Sequence, residues 1–153
     1  MTILKQIKAN LRTLDINSII RSIISREEVK DFIIDLNTNK QLFGQGENSF
    51  GVRLENVRGR DYSDLTVQLK IEDGLPFDRI TLFQTGEFYS SFVVIPGNDY
   101  FTISADPIKG DDNLFDDWGE DILGLQDENL QQLIFFIKDA IIQEFKRAIT
   151  RGL

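Results

Sequence analysis

No cysteine and no histidine occur in this chain. The first absence excludes disulfides, thiolate metal sites and thiol nucleophiles. The second removes the commonest general base, the usual zinc ligand and the physiological-pH switch. Histidine triads, zinc hydrolase centres and histidine-bound iron sites are therefore ruled out. No apolar run reaches the roughly 18 residues that a membrane-spanning helix requires. The stretch Met1-Thr-Ile-Leu-Lys-Gln-Ile-Lys8 also lacks the continuous apolar core of a signal peptide, so the expected place of the chain is the cytoplasm of the cell that makes it.

What remains is a chain of 153 residues, 41% hydrophobic and 27% charged, with a net charge of −8. That length and balance predict one folded domain, residues 1–153, with a core of its own. The charge is uneven. Residues 1–60 carry ten Lys/Arg against seven Asp/Glu, whereas residues 61–153 carry seven against eighteen. Phosphate binding needs positive charge on the contacting face, which argues against sequence-specific nucleic-acid binding by the second half. A basic partner, or the N-terminal half of another copy, fits better.

Hydrophobic periodicity organises the two ends. Ile3, Ile7, Leu11 and Leu14 share one helical face and predict a helix over 3–13. Residues 1–14 then form either a detachable arm that packs on a neighbour or a cover for one end of their own domain. Asp15 or Asn17 caps a second helix, predicted over 16–42, with Ile16, Ile19, Ile20, Ile23 and Ile24 as its stripe. Arg26-Glu27-Glu28 marks a possible kink in it. Residues 44–62, with Gly44, Gly46, Gly51 and Gly59, predict a long irregular loop with a short extended piece at 50–54. A short helix is expected over 64–73, capped by Ser63 with Leu65 and Leu69 four apart, although Leu65, Val67, Leu69 and Ile71 also alternate as a strand would. Thr85 caps a turn with Glu87 in its first turn, and Gly86 permits close backbone approach. Residues 92–95 and 100–105 then predict a β-hairpin around Pro96-Gly-Asn-Asp99. Leu130, Leu133, Ile134, Ile137, Ile141, Phe145 and Ile149 predict a long terminal helix. The expected fold is α+β, with N-terminal helices, a long loop and a small antiparallel hairpin packed against a long C-terminal helix.

Three groups of side chains are candidates for interaction. Arg53, Arg58 and Arg60 place three guanidiniums within eight residues, suited to phosphate or acidic side chains or to pairing within the chain. The segment 111–121 holds six acids: Asp111, Asp112, Asp116, Asp117, Glu120 and Asp121. Oxygen ligands of this kind bind Mg²⁺ or Ca²⁺, and two metals would support phosphodiester cleavage. The spacing lacks the alternating acids, central Gly and closing Glu of an EF-hand loop. A docking face for basic side chains is the simpler reading, with Leu114, Phe115 and Trp118 at helical spacing beneath it. Phe135, Phe136 and Ile142 widen the last helix's apolar stripe beyond one face, which predicts deep burial or a partner. Ser90 and Ser91 have no histidine to activate them, and Gly44-Gln-Gly46 lacks the remainder of a phosphate loop. No cofactor or metal site is expected.

Thr81-Leu-Phe-Gln-Thr-Gly-Glu-Phe-Tyr-Ser-Ser-Phe92 resembles the tail-completion, or head–tail connector, family of tailed bacteriophages. That family carries a Thr-Gly-x-Leu/Phe-x-x-Ser-apolar element followed by a hairpin, matched by Thr85, Gly86, Phe88, Ser91 and Phe92. Trp118-Gly-Glu-Asp-Ile-Leu-Gly-Leu125, leading into the last helix, is similar to a segment of uncharacterised phage and prophage proteins of Bacteroidetes. The family's aromatic with Glu-Phe-Gly-Thr after the hairpin is missing. The resemblance implies a non-catalytic ring subunit at the neck or tail of a virion, contacting copies of itself and neighbouring portal, connector or tail proteins. The alternatives are a phage-encoded metal-dependent nuclease and a small intracellular protein-binding domain.

Overall fold

A computed structural model describes all 153 residues. Helix α1 (Ile3–Arg12) starts where Thr2 Oγ1 accepts from the Lys5 N–H at 3.3 Å, and no residue in it is buried. Helix α2 (Ile16–Ile24) is capped by Asp15, whose Oδ1 accepts from the Ser18 N–H at 3.1 Å. The single helix expected over 16–42 is broken. Ser25 Oγ donates back to the Arg21 carbonyl at 2.7 Å, and Arg26 swings to ψ 137°. Such back-bonding competes with the helical ladder. Helix α3 (Glu27–Asp35) then begins with two acids at the positive end of its dipole.

From Leu36 to Gln45 the chain continues as a π-helix, ten residues long. Wide i→i+5 turns are rare and usually single, and here they carry an unusual cargo. Asn37, Thr38 and Gln41 are buried beside Leu36 and Leu42. Gly46, at φ +67°, ends the segment, and a Cβ there would lie 3.0 Å from the Ile80 carbonyl.

The predicted loop contains structure of its own. Of the extended piece expected at 50–54, only Arg53 pairs, in an isolated antiparallel bridge with Glu47; helix α4 (Leu54–Arg58) follows directly, anchored by fully buried Leu54. Helix α5 (Asp64–Glu72) lies where expected, capped by Ser63. It is turned inside out: Leu65, Leu69 and Ile71 face solvent, whereas Lys70 is buried. A single turn, α6 (Glu87–Ser90), leads into strands β1 (Val93–Pro96) and β2 (Phe101–Ser104). They pair antiparallel with Val94 opposite Ile103, and both side chains are buried. The hairpin rests chiefly on α3, and its tip faces the terminal helix across a groove. A second small pair, β3 (Ile108–Lys109) and β4 (Asp112–Asn113), stands where a loop was expected. Helix α7 (Leu114–Trp118) and a 3₁₀ turn (Glu120–Ile122) complete the acidic segment. Helix α8 (Asp127–Ile149) closes the chain against α1, α2 and α3. The fold is α+β, and no helix is long and apolar enough to cross a membrane.

The π-helix is tied to the approach to α8 by carboxamides. Asn37 Nδ2 donates to the Ile122 carbonyl at 3.1 Å, and its Oδ1 accepts from the Gly124 N–H at 2.8 Å. Gln41 Nε2 donates to the Gly124 carbonyl at 2.8 Å, while its Oε1 accepts from the Gln126 N–H and from Asn129 Nδ2. Asn37→Ala therefore orphans one buried donor and one buried acceptor. We expect the variant to lose about 2–4 kcal/mol of stability in urea unfolding with an unchanged m-value. Asn10→Ala, which frees α1 from the Ile149 and Arg151 carbonyls near the surface, should cost about 1 kcal/mol by the same measurement.

Candidate functional site

The arginine loop and the acidic segment meet each other. Arg58 approaches Asp117 at 3.7 Å, and its guanidinium carbon sits 5.2 Å from the centre of the Trp118 ring. Arg53 pairs with Glu55, two residues away. Arg60 lines a separate small cavity of about 390 Å³ with Arg58, Tyr62 and Trp118. Trp118 is 5% exposed and holds α7 to the core. Asp111, Asp112, Asp116 and Asp117 are all exposed. Asp111 and Asp112 lie in the β3–β4 turn and strand, ahead of the helical turn. No three carboxylates anywhere in the chain converge into a group that could hold a metal ion.

Further ion pairs join the two halves of opposite charge within one molecule. Arg26 meets Glu144 at 3.2 Å and Lys40 meets Glu128 at 3.8 Å. Part of the basic excess of residues 1–60 is thus spent on the chain's own acids.

The expected scaffold turn is present. Gly86 takes φ +87°, and the Glu87 N–H donates to Thr85 Oγ1 at 3.4 Å. Ser91 ties it to the hairpin, accepting from the Asp106 N–H at 2.9 Å and donating to the Phe88 carbonyl at 2.6 Å. Behind it the fully buried Thr81 peptide is gripped from both sides: its N–H donates to Tyr62 Oη at 2.9 Å, and Tyr89 Oη donates to its carbonyl. Burial pushes the Tyr89 phenol far up and raises that of Tyr62 as well.

On α8 only Leu133, Ile137 and Asn129 are buried. Phe135 is 77% exposed, and Ile134, Phe136, Ile142 and Phe145 are also exposed. Phe136 stacks on Phe32 with ring centres 4.1 Å apart, and the pair borders an open depression with Phe135 and Gln131. The stripe therefore widens toward solvent, and the deep burial that was one expectation for it does not occur.

One site escaped the residue pattern. Between α5, the irregular Leu82–Gln84 segment and α7 lies a pocket of about 380 Å³. Lys70 enters it from α5 and Lys109 from β3, with Arg58 and Trp118 on the far wall. Lys70 is 8% exposed, and its Nζ donates to the Phe83 carbonyl at 2.8 Å and lies 4.8 Å from the Tyr62 ring centre. Burial lowers the pKa of both lysines, and the Lys70 charge lowers that of Lys109 further. In sequence Lys70 shows only a faint acid-plus-lysine arrangement with Asp61 and Asp64, and Lys109 carries no mark of its own. Their meeting in space is what sets the pair apart.

Comparison with protein-family models, with curated proteins and with solved structures finds no match for this chain.

The tyrosine grip makes an alkaline prediction. A phenol raised in the folded state keeps its proton when the unfolded one loses it, so folding is favoured less as pH climbs above 10.0, the ordinary value. We expect wild-type stability to fall with pH above that value and Tyr89→Phe to flatten the decline, in urea titrations repeated across pH 8–12. An equal slope in both proteins refutes the assignment.

Proposed function

We propose that this chain is a structural, non-catalytic subunit of a tailed-phage particle, of the tail-completion or head–tail connector type, which works by joining copies of itself into a ring. The observation that carries the reading is surface. The chain exposes 9749 Å², whereas a compact monomer of 17.6 kDa is expected to expose about 7,900 Å². The excess of about 1,800 Å² is comparable to two standard interfaces of about 800 Å² per partner. A subunit in a closed ring buries two such faces, one to each neighbour.

The excess is apolar in the right places. Ile3 and Leu4 on α1, Leu65 and Ile71 on α5, and Phe135 and Ile142 on α8 all face outward. Such residues in extended array mark interaction surfaces. The resemblance of Thr85, Gly86, Phe88, Ser91 and Phe92 to the connector element supplies the particular class. Its turn supports the hairpin through Ser91, a scaffold role that needs no chemistry. The scattered carboxylates give the nuclease alternative no converged cage on which to rest.

Two measurements test this reading. Mass spectrometry of purified virions from the encoding phage should detect the chain in multiple copies, and its absence would sink the proposal. Native mass spectrometry of the isolated protein, or of the protein with its neighbouring particle proteins, should show ring-sized assemblies. Phe135→Glu should dissolve them while changing folding stability by less than about 0.5 kcal/mol, because the side chain is exposed.

A further inference from the structure

We propose that the pocket between α5, the Leu82–Gln84 segment and α7 binds an anion, a carboxylate or phosphate group, carried on a flat apolar body. This goes beyond the ring reading and does not depend on it. The first support is charge. The chain has 25 Asp/Glu against 17 Lys/Arg, so a lysine has acids in abundance with which to pair. Yet neither Lys70 nor Lys109 has a carboxylate oxygen within 4.0 Å, and both face the same cavity. Asp73, Asp112 and Glu87 act on the two ammonium groups only from beyond ion-pair distance, so an anion between them would relieve their mutual repulsion and the desolvation of Lys70.

The second support is orientation. Lys70 is fixed, not wandering: its Nζ donates one hydrogen bond to the Phe83 carbonyl at 2.8 Å, which leaves two donors uncommitted. Leu82, immediately before that carbonyl and on the pocket wall, holds φ +58°. It is the only non-glycine residue in the chain with a positive φ. Strain of this kind in a bulky residue concentrates at binding clamps. The third support is the lining. Trp118, Tyr62 and Leu69 give apolar and aromatic walls, suited to a flat body beside the charged group. The acids at the rim, Asp73, Asp112 and Asp117, limit the charge the site accepts; Asp117 is engaged by Arg58.

The single tryptophan of the chain lines this pocket, so its fluorescence reports occupancy directly. Phenyl phosphate and benzoate are the probes, with inorganic phosphate and phenol as the separated halves. We expect a saturable change in Trp118 emission with phenyl phosphate or benzoate, whichever anion the site prefers, and at least about tenfold weaker binding by phosphate or phenol alone. Lys70→Met and Lys109→Met should each weaken the bound probe by about tenfold or more. Lys109 is exposed, so its variant keeps the fold even where loss of buried Lys70 does not. The proposal fails if neither aryl anion perturbs Trp118 at millimolar concentration, or if Lys109→Met binds as tightly as wild type. Equal affinity for inorganic phosphate and phenyl phosphate overturns the requirement for an apolar body.

Discussion

The structure hangs on a small set of carboxamides. Asn37, Gln41 and Asn129 are each 0% exposed, and they stitch the π-helix to the backbone of residues 122–126 and to the first turn of α8. Burying an amide without partners costs several kcal/mol, whereas paired amides strengthen in the low dielectric and tolerate one geometry only; here every side-chain amide atom of the three is paired except Asn129 Oδ1. That selectivity matters here because the two sides of the lock come from opposite ends of the chain. An apolar seam would let the π-helix slide against the Ile122–Leu125 segment at little cost. Paired amides do not. Gly124, at φ +117° and packed where a Cβ would stand 3.1 Å from Ser49 Cβ, lets the backbone come close enough for the lock to form.

The lock also explains why so few residues need be buried. Ile23, Ile33, Leu42, Leu54 and Ile122 are wholly enclosed around it and belong to a single apolar cluster of 18 residues. Beyond this cluster the helices lie on the surface. Helix α8 presents Leu133 and Ile137 inward and leaves its phenylalanines outside, while α1 touches α8 without burying any residue. The stability of the fold thus resides in a compact interior, and the outer helices leave apolar side chains in the open.

Much of this was legible in the periodicity of the sequence. The apolar stripes located α1, the start of α2, and α8. The cap signals located α5, and the Pro96–Asp99 turn chemistry located the hairpin within one residue at most strand ends. Arg26-Glu27-Glu28 marked the step where α2 gives way to α3, and the Ser25 bond to the preceding turn is what makes it. Two things were not legible, each for a physical reason. The π-helix has no hydrophobic period of its own in this segment, and its buried Asn37 and Gln41 look like solvent-facing polar residues. Helix α5 inverts the usual rule, since its leucines face out and its lysine in, so the pattern pointed to the wrong face. Phe135, Phe136 and Ile142 lie in the open, an outcome their excess over one stripe left undecided between burial and contact. Trp118 is nearly enclosed, because α7 turns it under Arg58.

The inversion of α5 connects the outer surface with the interior. A helix that buries Lys70 loses hydration of a charge and at the same time leaves Leu65, Leu69 and Ile71 in water. Both are unfavourable, and rotating the helix about its axis would relieve both at once. That it does not rotate means something outweighs them. Within the chain the compensation comes from the Phe83 carbonyl, the Tyr62 ring and the more distant Asp73 carboxylate. A neighbouring copy covering the leucines and an anion reaching Lys70 would supply what is lacking on each side. The two proposals thus account for the two faces of one helix, and each can stand or fall without the other.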